Sequence, residues 1–360
     1  MKTLLDYVEE NQTKSFEESP YNELDSLVLG LLSYLDLGGI VPKSNDKKIT
    51  MEKAMEKFYK RYSTHEEFKL HGTGLRAAYT IMFTLKKSVR YKDLLLYNYD
   101  YQSHDDLQFS ALCIDINDKL TYISFEGTDD LVSGWKEDCE AAYMFPTNSQ
   151  ELAIKYVNNH VQFFSNRSYI LGGHSKGGNL ALVAGMYSSI IFRHKIKKIY
   201  SFDGPGLRNN ELHTWNYRSI KKKFEHIIPD YSIIGLLMRN DGNYRVVKSS
   251  VKGLLAHDAN NWCVEDNHLM PSKLSASSKK LDKQLKRWLD KYSLEEREFF
   301  VQEVFDIFDR VGVKDFVEVK ANMVPKMLKI LKERKNMDKR AKKMLGDLII
   351  TIFQSVFVKN

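Results

Sequence analysis

Between Tyr169 and Ala181 the chain reads Tyr-Ile-Leu-Gly-Gly-His-Ser-Lys-Gly-Gly-Asn-Leu-Ala, and no other stretch restricts its fold so tightly. A short apolar strand enters a glycine-rich turn, and a helix of small residues (Leu180, Ala181, Ala184, Gly185) leaves it. Gly173 and Gly177 stand two residues either side of Ser175, the spacing G-x-S-x-G. A serine at so sharp a strand-to-helix turn sits in a strained backbone conformation, and side chains two residues away would collide. Glycine at both places removes the collision and leaves Ser175 Oγ exposed. The helix that follows aims N–H groups and the positive end of its dipole at the turn. Ser175 is the candidate nucleophile, and the backbone N–H of Lys176 a candidate oxyanion donor. The bland alternative is a glycine-rich turn that merely links strand and helix.

The pattern around this turn sets the fold class. Leu24, Leu27, Leu31 and Leu35 recur at helical spacing and predict a helix over Asn22–Leu37; Thr50–Tyr62 and Leu75–Leu85 predict two more. Phe109–Ile116 and Thr121–Phe125 are β-rich and joined by Asn117, Asp118 and Lys119, a predicted hairpin. Strands and helices then alternate. Helices are predicted at Glu151–Phe164 and Asn179–Ile190, and strands at Ser168–Leu171, Ile196–Phe202, Phe224–Ile228 and Tyr244–Val247. This alternation predicts an α/β fold of the α/β-hydrolase type, a mostly parallel sheet flanked by helices with antiparallel pairing at one edge. After Ser277 only helical periodicity remains. The Pro/Ser-rich stretch Pro271–Ser278 divides an α/β-hydrolase domain, residues 1–272, from a helical C-terminal extension, residues 273–360.

A serine hydrolase takes its second oxyanion donor from a loop after an earlier strand. The stretch Ile123-Ser124-Phe125-Glu126-Gly127-Thr128-Asp129-Asp130 ends a strand in the right chain order, which makes the backbone N–H of Thr128 the candidate. The alternative is an ordinary turn after an edge strand. This F-x-G-T, followed by Gly134-Trp135-Lys136-Glu137-Asp138 and later by G-H-S-x-G-G-N-L-A, resembles the class 3 lipases. It is most similar to a bacterial family of predicted hydrolases related to them, the Mbeg-like proteins. The resemblance runs from about Tyr21 to Trp262 and includes Asn22-Glu23-Leu24-Asp25 and Leu32-Ser33-Tyr34-Leu35. It implies an α/β-hydrolase fold and acyl-ester hydrolysis. Such proteins usually read F-R-G-T; here Glu126 replaces the arginine, which alters whatever that side chain contacts but not the backbone N–H of Thr128.

The remaining groups follow in the order nucleophile, acid, histidine. His194 and His226 lie before or inside predicted strands, and His213 comes early. His257 and His268 are left, and the resemblance favours His257, because an H-D followed shortly by Trp (here Trp262) marks the histidine in those relatives. Asp203 and Asp230 both end predicted strands. Asp230 follows the strand after next from the elbow, the common place for the acid, and it resembles the Asp-containing turn of class 3 lipases. It is preferred over Asp203, whose turn would pass close to Ser175 and whose alternative role is to cap that turn. The expected set is therefore Ser175, Asp230 and His257, with Lys176 and Thr128 donating backbone N–H groups. No cofactor and no metal is required.

Composition narrows the partners. With 43% hydrophobic and 28% charged residues the chain is an ordinary globular one. Three scattered cysteines argue against a disulfide framework or a zinc knot. The N-terminus turns acidic too soon for a signal peptide and no apolar run is long enough to span a bilayer, so a cytoplasmic address is expected. The partner expected is a small-molecule or lipid-like acyl ester, and no nucleic acid. Between Lys320 and Lys343 ten Lys/Arg face only two acids. That run is a solvated helix face or a weak attachment to an anionic membrane surface. Three rival functions remain. A metal hydrolase would use His257, Asp258, Asp266 and His268, but they lack a recognised ligand spacing. A non-catalytic binding protein would keep the fold, and an acyltransferase would use the same residues as an esterase.

Overall fold

The computed structural model describes residues 1–62, 73–104, 107–129, 131–315 and 323–356. Asp130, the start of the basic run (residues 320–322) and the end of the apolar tail (Phe357, Val358) lie outside the described residues. Strand β1 (Lys2–Thr3) joins β10 (Cys263–Glu265) and β11 (His268–Leu269) in a small antiparallel sheet. The main sheet has eight strands: β2 (Ile49–Thr50), β3 (Leu95–His104), β4 (Leu107–Asn117), β5 (Leu120–Phe125), β6 (Ser168–His174), β7 (Ile196–Phe202), β8 (Phe224–Pro229) and β9 (Tyr244–Val247). They lie side by side in chain order, antiparallel from β2 to β5 and parallel from β5 to β9.

That order decides how the faces are covered. A right-handed crossover between neighbouring parallel strands returns on the same side each time. Strands added in one direction therefore put their crossover helices on one face. On that face α5 (Val132–Glu140), α6 (Asn148–His160) and α7 (Lys176–Tyr187) follow one another, and Tyr156, Val157, Leu180 and Val183 of α6 and α7 meet Phe109, Ile123 and Leu171 of the sheet. The opposite face is covered by the N-terminal helices α1 (Leu4–Asn11), α2 (Glu23–Leu32), α3 (Met51–Arg61) and α4 (Thr73–Leu85), whose Leu27, Leu31 and Ile81 pack with Ile114, Tyr122 and Phe202. The N-terminal segment is thus half of the core.

Asn22-Glu23-Leu24-Asp25 fastens it there. Asn22 accepts the N–H groups of Leu24 and Asp25 at the start of α2. Asp25, fully buried, receives Arg90 Nε and Nη2 at 2.7 and 2.6 Å and the hydroxyl of Tyr91 at 2.5 Å. Removing one partner of so dry a pair leaves an uncompensated charge and costs about 3–5 kcal/mol.

The hairpin, the parallel strands and the helices stand where the periodicity predicts them, within a few residues. Strand β3 is the longest element that no periodicity predicts: no strand is expected over Leu95–His104. Its register against β4 shifts between Tyr97 and Asp100, and Asn98 has φ 54°. A bulge resets the two-residue alternation midway, so neither half shows a readable pattern.

After three short helices, α8 (Ile190–Arg193), α9 (Asn209–Leu212) and α10 (Trp215–Ile220), the chain ends in α11 (Ala276–Lys291), α12 (Leu294–Val311), α13 (Met323–Glu333) and α14 (Lys339–Val356). Trp288, Tyr292, Phe300, Phe305 and Met344 form one cluster with Val132 of α5. Arg297 Nη1 donates to Ala142 O at 2.8 Å, and Val132 N to Lys314 O at 3.0 Å. The C-terminal helices therefore dock on the helix that follows the Thr128 loop. No helix among the described residues is long and apolar enough to cross a membrane.

Candidate active site

Ser175 is the hinge between β6 and α7, at φ 57° and ψ −132°. A β-carbon on Gly177 would stand 2.1 Å from Phe125 O, and one on Gly173 2.5 Å from the same oxygen. Here are the collisions that the G-x-S-x-G spacing avoids, and the obstacles are the neighbouring strand β5 and, for Gly173, the backbone of Gly177. Ser175 N–H donates to Phe202 O at 2.9 Å, so the end of β7 lies directly against the elbow.

That contact brings in Asp203, the next residue. Its side chain is fully buried, and its Oδ2 lies 2.7 Å from His257 Nδ1. Its Oδ1 accepts Ser232 Oγ at 2.5 Å and Gly235 N–H at 3.0 Å. The carboxylate against His257 is therefore Asp203, not the expected Asp230. Asp230 is buried too, but it accepts Lys248 Nζ at 2.8 Å, Ser249 N–H at 3.2 Å and Ser272 Oγ at 3.2 Å, tying β9 to the chain leading into α11. The physical reason is strand order. β7 is the immediate neighbour of the elbow strand, whereas β8 lies one further strand spacing, about 4.8 Å, away.

His257 sits in a short helical turn, Gly253–His257, held from three sides. Trp262 Nε1 donates to Ala256 O at 2.9 Å, which gives the H-D-to-Trp spacing a structural meaning. Asp258 accepts Asn260 N–H at 3.0 Å and caps the next turn. His174, the residue before Ser175, lays its ring on that of His257, with centroids 4.5 Å apart and planes at 33°. Its Nε2 is 2.8 Å from His257 O, and its Nδ1 is 3.1 Å from the Tyr34 hydroxyl. Burial, reinforced by the neighbouring His257, pushes the His174 imidazole down to about 3. A neutral His174 facing a carbonyl must carry its proton on Nε2, so Tyr34 donates to Nδ1. The Asp203 carboxylate only accepts, so His257 Nδ1–H donates to it, and Nε2 is the ring nitrogen turned away from the carboxylate.

Thr128 follows β5, the strand paired with β6. Its hydroxyl donates to Asp138, whose carboxyl burial pushes up to about 6. Gln108 and Lys176 strap this loop to the elbow. Gln108 Nε2 donates to Gly127 O at 3.1 Å, and Lys176 Nζ donates to Gln108 O at 2.8 Å and Oε1 at 3.0 Å, with Glu137 Oε2 at 3.4 Å. Asn179 donates to Gly206 O at 2.8 Å and accepts Gln150 Nε2 at 2.8 Å, which fixes the turn beyond Asp203.

The structure thus sets Thr128, Ser175 with Lys176, and Asp203 after the carboxyl ends of the adjacent strands β5, β6 and β7, brings His257 to Asp203, and leaves Asp230 outside. Sequence reasoning missed the side chains of Tyr34, Gln108, His174 and Lys176. Two signals pointed to them: Tyr34 stands in Leu32-Ser33-Tyr34-Leu35, and His174 and Lys176 flank the serine. His268 is exposed on β11, and His226 is buried in β8 with Nε2 2.9 Å from Gly204 O.

The profile of the Mbeg1-like family matches residues 85–306. Among solved structures the chain is similar to M37 lipase, with a TM-score of 0.38 and 14% identity over 61% of this chain and 70% of that one. It is also similar to the Lip2 lipase from Yarrowia lipolytica, with a TM-score of 0.35 and 13% identity over 51% of this chain and 72% of that one. No curated protein matches it.

Proposed function

The chain belongs to the Mbeg1-like family, and from that premise we propose that it is a serine hydrolase that cleaves an acyl ester through Ser175, His257 and Asp203. One observation carries the reading: His257 bonded to buried Asp203 at 2.7 Å, beside a serine held at positive φ between strand and helix.

A serine hydroxyl is a weak nucleophile at neutral pH, so it needs a base as it attacks. His257 Nε2 accepts the Ser175 proton while Oγ bonds to the ester carbonyl carbon. Asp203 holds the Nδ1–H tautomer and stabilises the imidazolium that forms. The carbonyl oxygen, now an oxyanion, receives the N–H groups of Lys176 and Thr128, each donor contributing about 3–4 kcal/mol. The tetrahedral intermediate collapses, and the imidazolium gives its proton to the departing alkoxide. Water, deprotonated by the same histidine, then releases the acid from Ser175. His174, Tyr34 and Trp262 position His257, and Lys176 Nζ with Gln108 keeps the Thr128 loop against the elbow.

The test is turnover of p-nitrophenyl esters of graded chain length. Ser175→Ala abolishes it, lowering kcat by more than a thousandfold, and leaves the circular dichroism unchanged. Activity within tenfold of the parent overturns the reading, because members of such a triad carry far more.

A further inference from the structure

Three connections meet at the amino ends of β6, β7 and β8, the end of the sheet away from Ser175. One leads from α6 into β6 and holds Phe163 and Phe164; the next is α8, with Ile190 and Ile191; the third carries α10, which starts at Trp215. All five apolar side chains stand out from the surface, with Phe164 98% exposed, Trp215 60% and Ile190 55%. Hydrogen bonds tie the connections into one face. Ser189 N–H donates to Asn158 Oδ1 at 2.8 Å, Lys195 Nζ to Ser165 O at 2.6 Å, and Lys223 Nζ to Arg193 O at 2.6 Å. The Arg193 guanidinium lies over the Trp215 ring, 5.4 Å from its centre.

Charge sets this face apart. Residues 157–168, 187–201 and 213–224 include nine Lys/Arg and no Asp or Glu. Carboxylates from outside these stretches reach three of the nine: Asp115 pairs with Arg167, Glu225 with Lys198 and Asp241 with Lys221. Arg193, Lys195, Lys197, Arg218, Lys222 and Lys223 form no ion pair among the described residues. The adjoining β4–β5 turn adds one charge of each sign, Asp118 and Lys119.

Apolar side chains exposed singly need no partner, but five gathered on one face mark a surface that something covers. The cations around them decide what. A second copy would set like charge against like charge. A nucleic acid would use the cations and stack on the aromatic rings, but would leave the isoleucine pair against its phosphates. An anionic bilayer suits every part: hydrocarbon for the phenylalanines and isoleucines, headgroup depth for the tryptophan, and lipid phosphates for the cations.

We propose that this end of the sheet docks on an anionic lipid surface. Phe163, Phe164, Ile190, Ile191 and Trp215 enter the headgroup boundary, and the lysines and arginines around them hold lipid phosphates. Docking stands apart from the hydrolase reading, because the 7 residues of β6 set Ser175 about 20 Å further from the bilayer.

The experiment is sedimentation of the full-length protein with vesicles of phosphatidylcholine alone and of equal parts phosphatidylcholine and phosphatidylglycerol. Each Lys/Arg at an anionic surface strengthens binding roughly fivefold, so three engaged cations favour the mixed vesicles about a hundredfold. Phe164→Ser with Ile190→Ser, both exposed, lowers binding to the mixed vesicles at least tenfold. Lys197→Glu with Lys222→Glu removes most of the preference for anionic lipid. Quenching of tryptophan fluorescence by chain-brominated lipid in the mixed vesicles locates the contact: the wild type is quenched, and Trp215→Phe is not. Equal binding to the two kinds of vesicle, unchanged binding in both double variants, or quenching that survives Trp215→Phe overturns the proposal. An oligonucleotide duplex bound more tightly than the mixed vesicles overturns it in favour of a nucleic acid. A dimer lost in Phe164→Ser overturns it in favour of a second copy.

Discussion

Strands β7 and β8 run parallel in the same sheet, and each ends in a buried aspartate, yet the two carboxylates meet different company. Asp230 faces the ammonium of Lys248, with a backbone N–H and a hydroxyl beside it. Asp203 faces an imidazole, with its second oxygen held by a hydroxyl and a backbone N–H. Burial and position at a strand end are therefore common to both and assign neither. The permanent cation is what differs. A carboxylate already balanced by lysine has little left for a transient charge, whereas Asp203 is oriented by neutral donors and free to stabilise an imidazolium when one forms.

The largest effect expected follows from that contrast. Asp203→Asn lowers kcat on a soluble ester by about 10⁴-fold. Asp230→Asn lowers it less than tenfold in the folded protein and acts instead on stability, by about 1–3 kcal/mol for the loss of a charged partner. Parallel ester assays and urea titrations of the two variants read both numbers. A reversed ranking would return the acid to Asp230 and break the comparison.

The two neighbouring imidazoles, His174 and His257, sharpen the same distinction. His174 stays neutral because it is buried, with its folded value down at about 3, whereas in the unfolded chain it titrates near ~6.5. Between those values the unfolded state binds more protons. The stability contributed by a neutral His174 is therefore complete above ~6.5 and is lost as pH falls towards 3. Urea titrations at pH 7 and pH 5 should show the wild type losing more stability on acidification than His174→Gln. Equal losses would mean that His174 is not held neutral.

Much of this was legible in the sequence, and the failures have identifiable causes. The elbow was readable because Gly173 and Gly177 answer a local steric demand. The helices and the hairpin were readable because their periodicity is local as well. Strand β3 escaped because the bulge at Asn98 breaks its alternation. Asp203 was ranked below Asp230 because its contact with His257 depends on which strand lies beside β6 and on where the His257 turn folds back, and neither is written in chain order. Lys176 was read only for its backbone. Its ammonium acts through Gln108, 68 residues away, and no periodicity marks such a contact.

The smallest effect concerns the C-terminal helices. Leu345 and Leu348 of α14 pack against the α11–α12 cluster, while Ile349 and Ile350 stay exposed, as do Leu328 and Leu331 of α13. With much of its apolar surface already covered, this region should add little, so the protein carrying Phe164→Ser, Ile190→Ser, Lys197→Glu and Lys222→Glu should bind liposomes rich in anionic lipid less than tenfold better than neutral ones. Sedimentation at low and high salt checks this. Stronger binding that salt removes would give the basic run a surface role, each Lys/Arg near the membrane contributing about 1 kcal/mol.

The central claim is that Ser175 is a nucleophile armed by His257 and Asp203. Intact mass spectrometry after exposure to a fluorophosphonate reads it without any knowledge of the substrate. The wild type and Asp230→Asn should each gain one adduct that peptide mapping places on Ser175. Ser175→Ala should gain none, and Asp203→Asn should be labelled at a rate lower by orders of magnitude. An unlabelled wild type, or equal labelling of wild type and Asp203→Asn, would contradict the account.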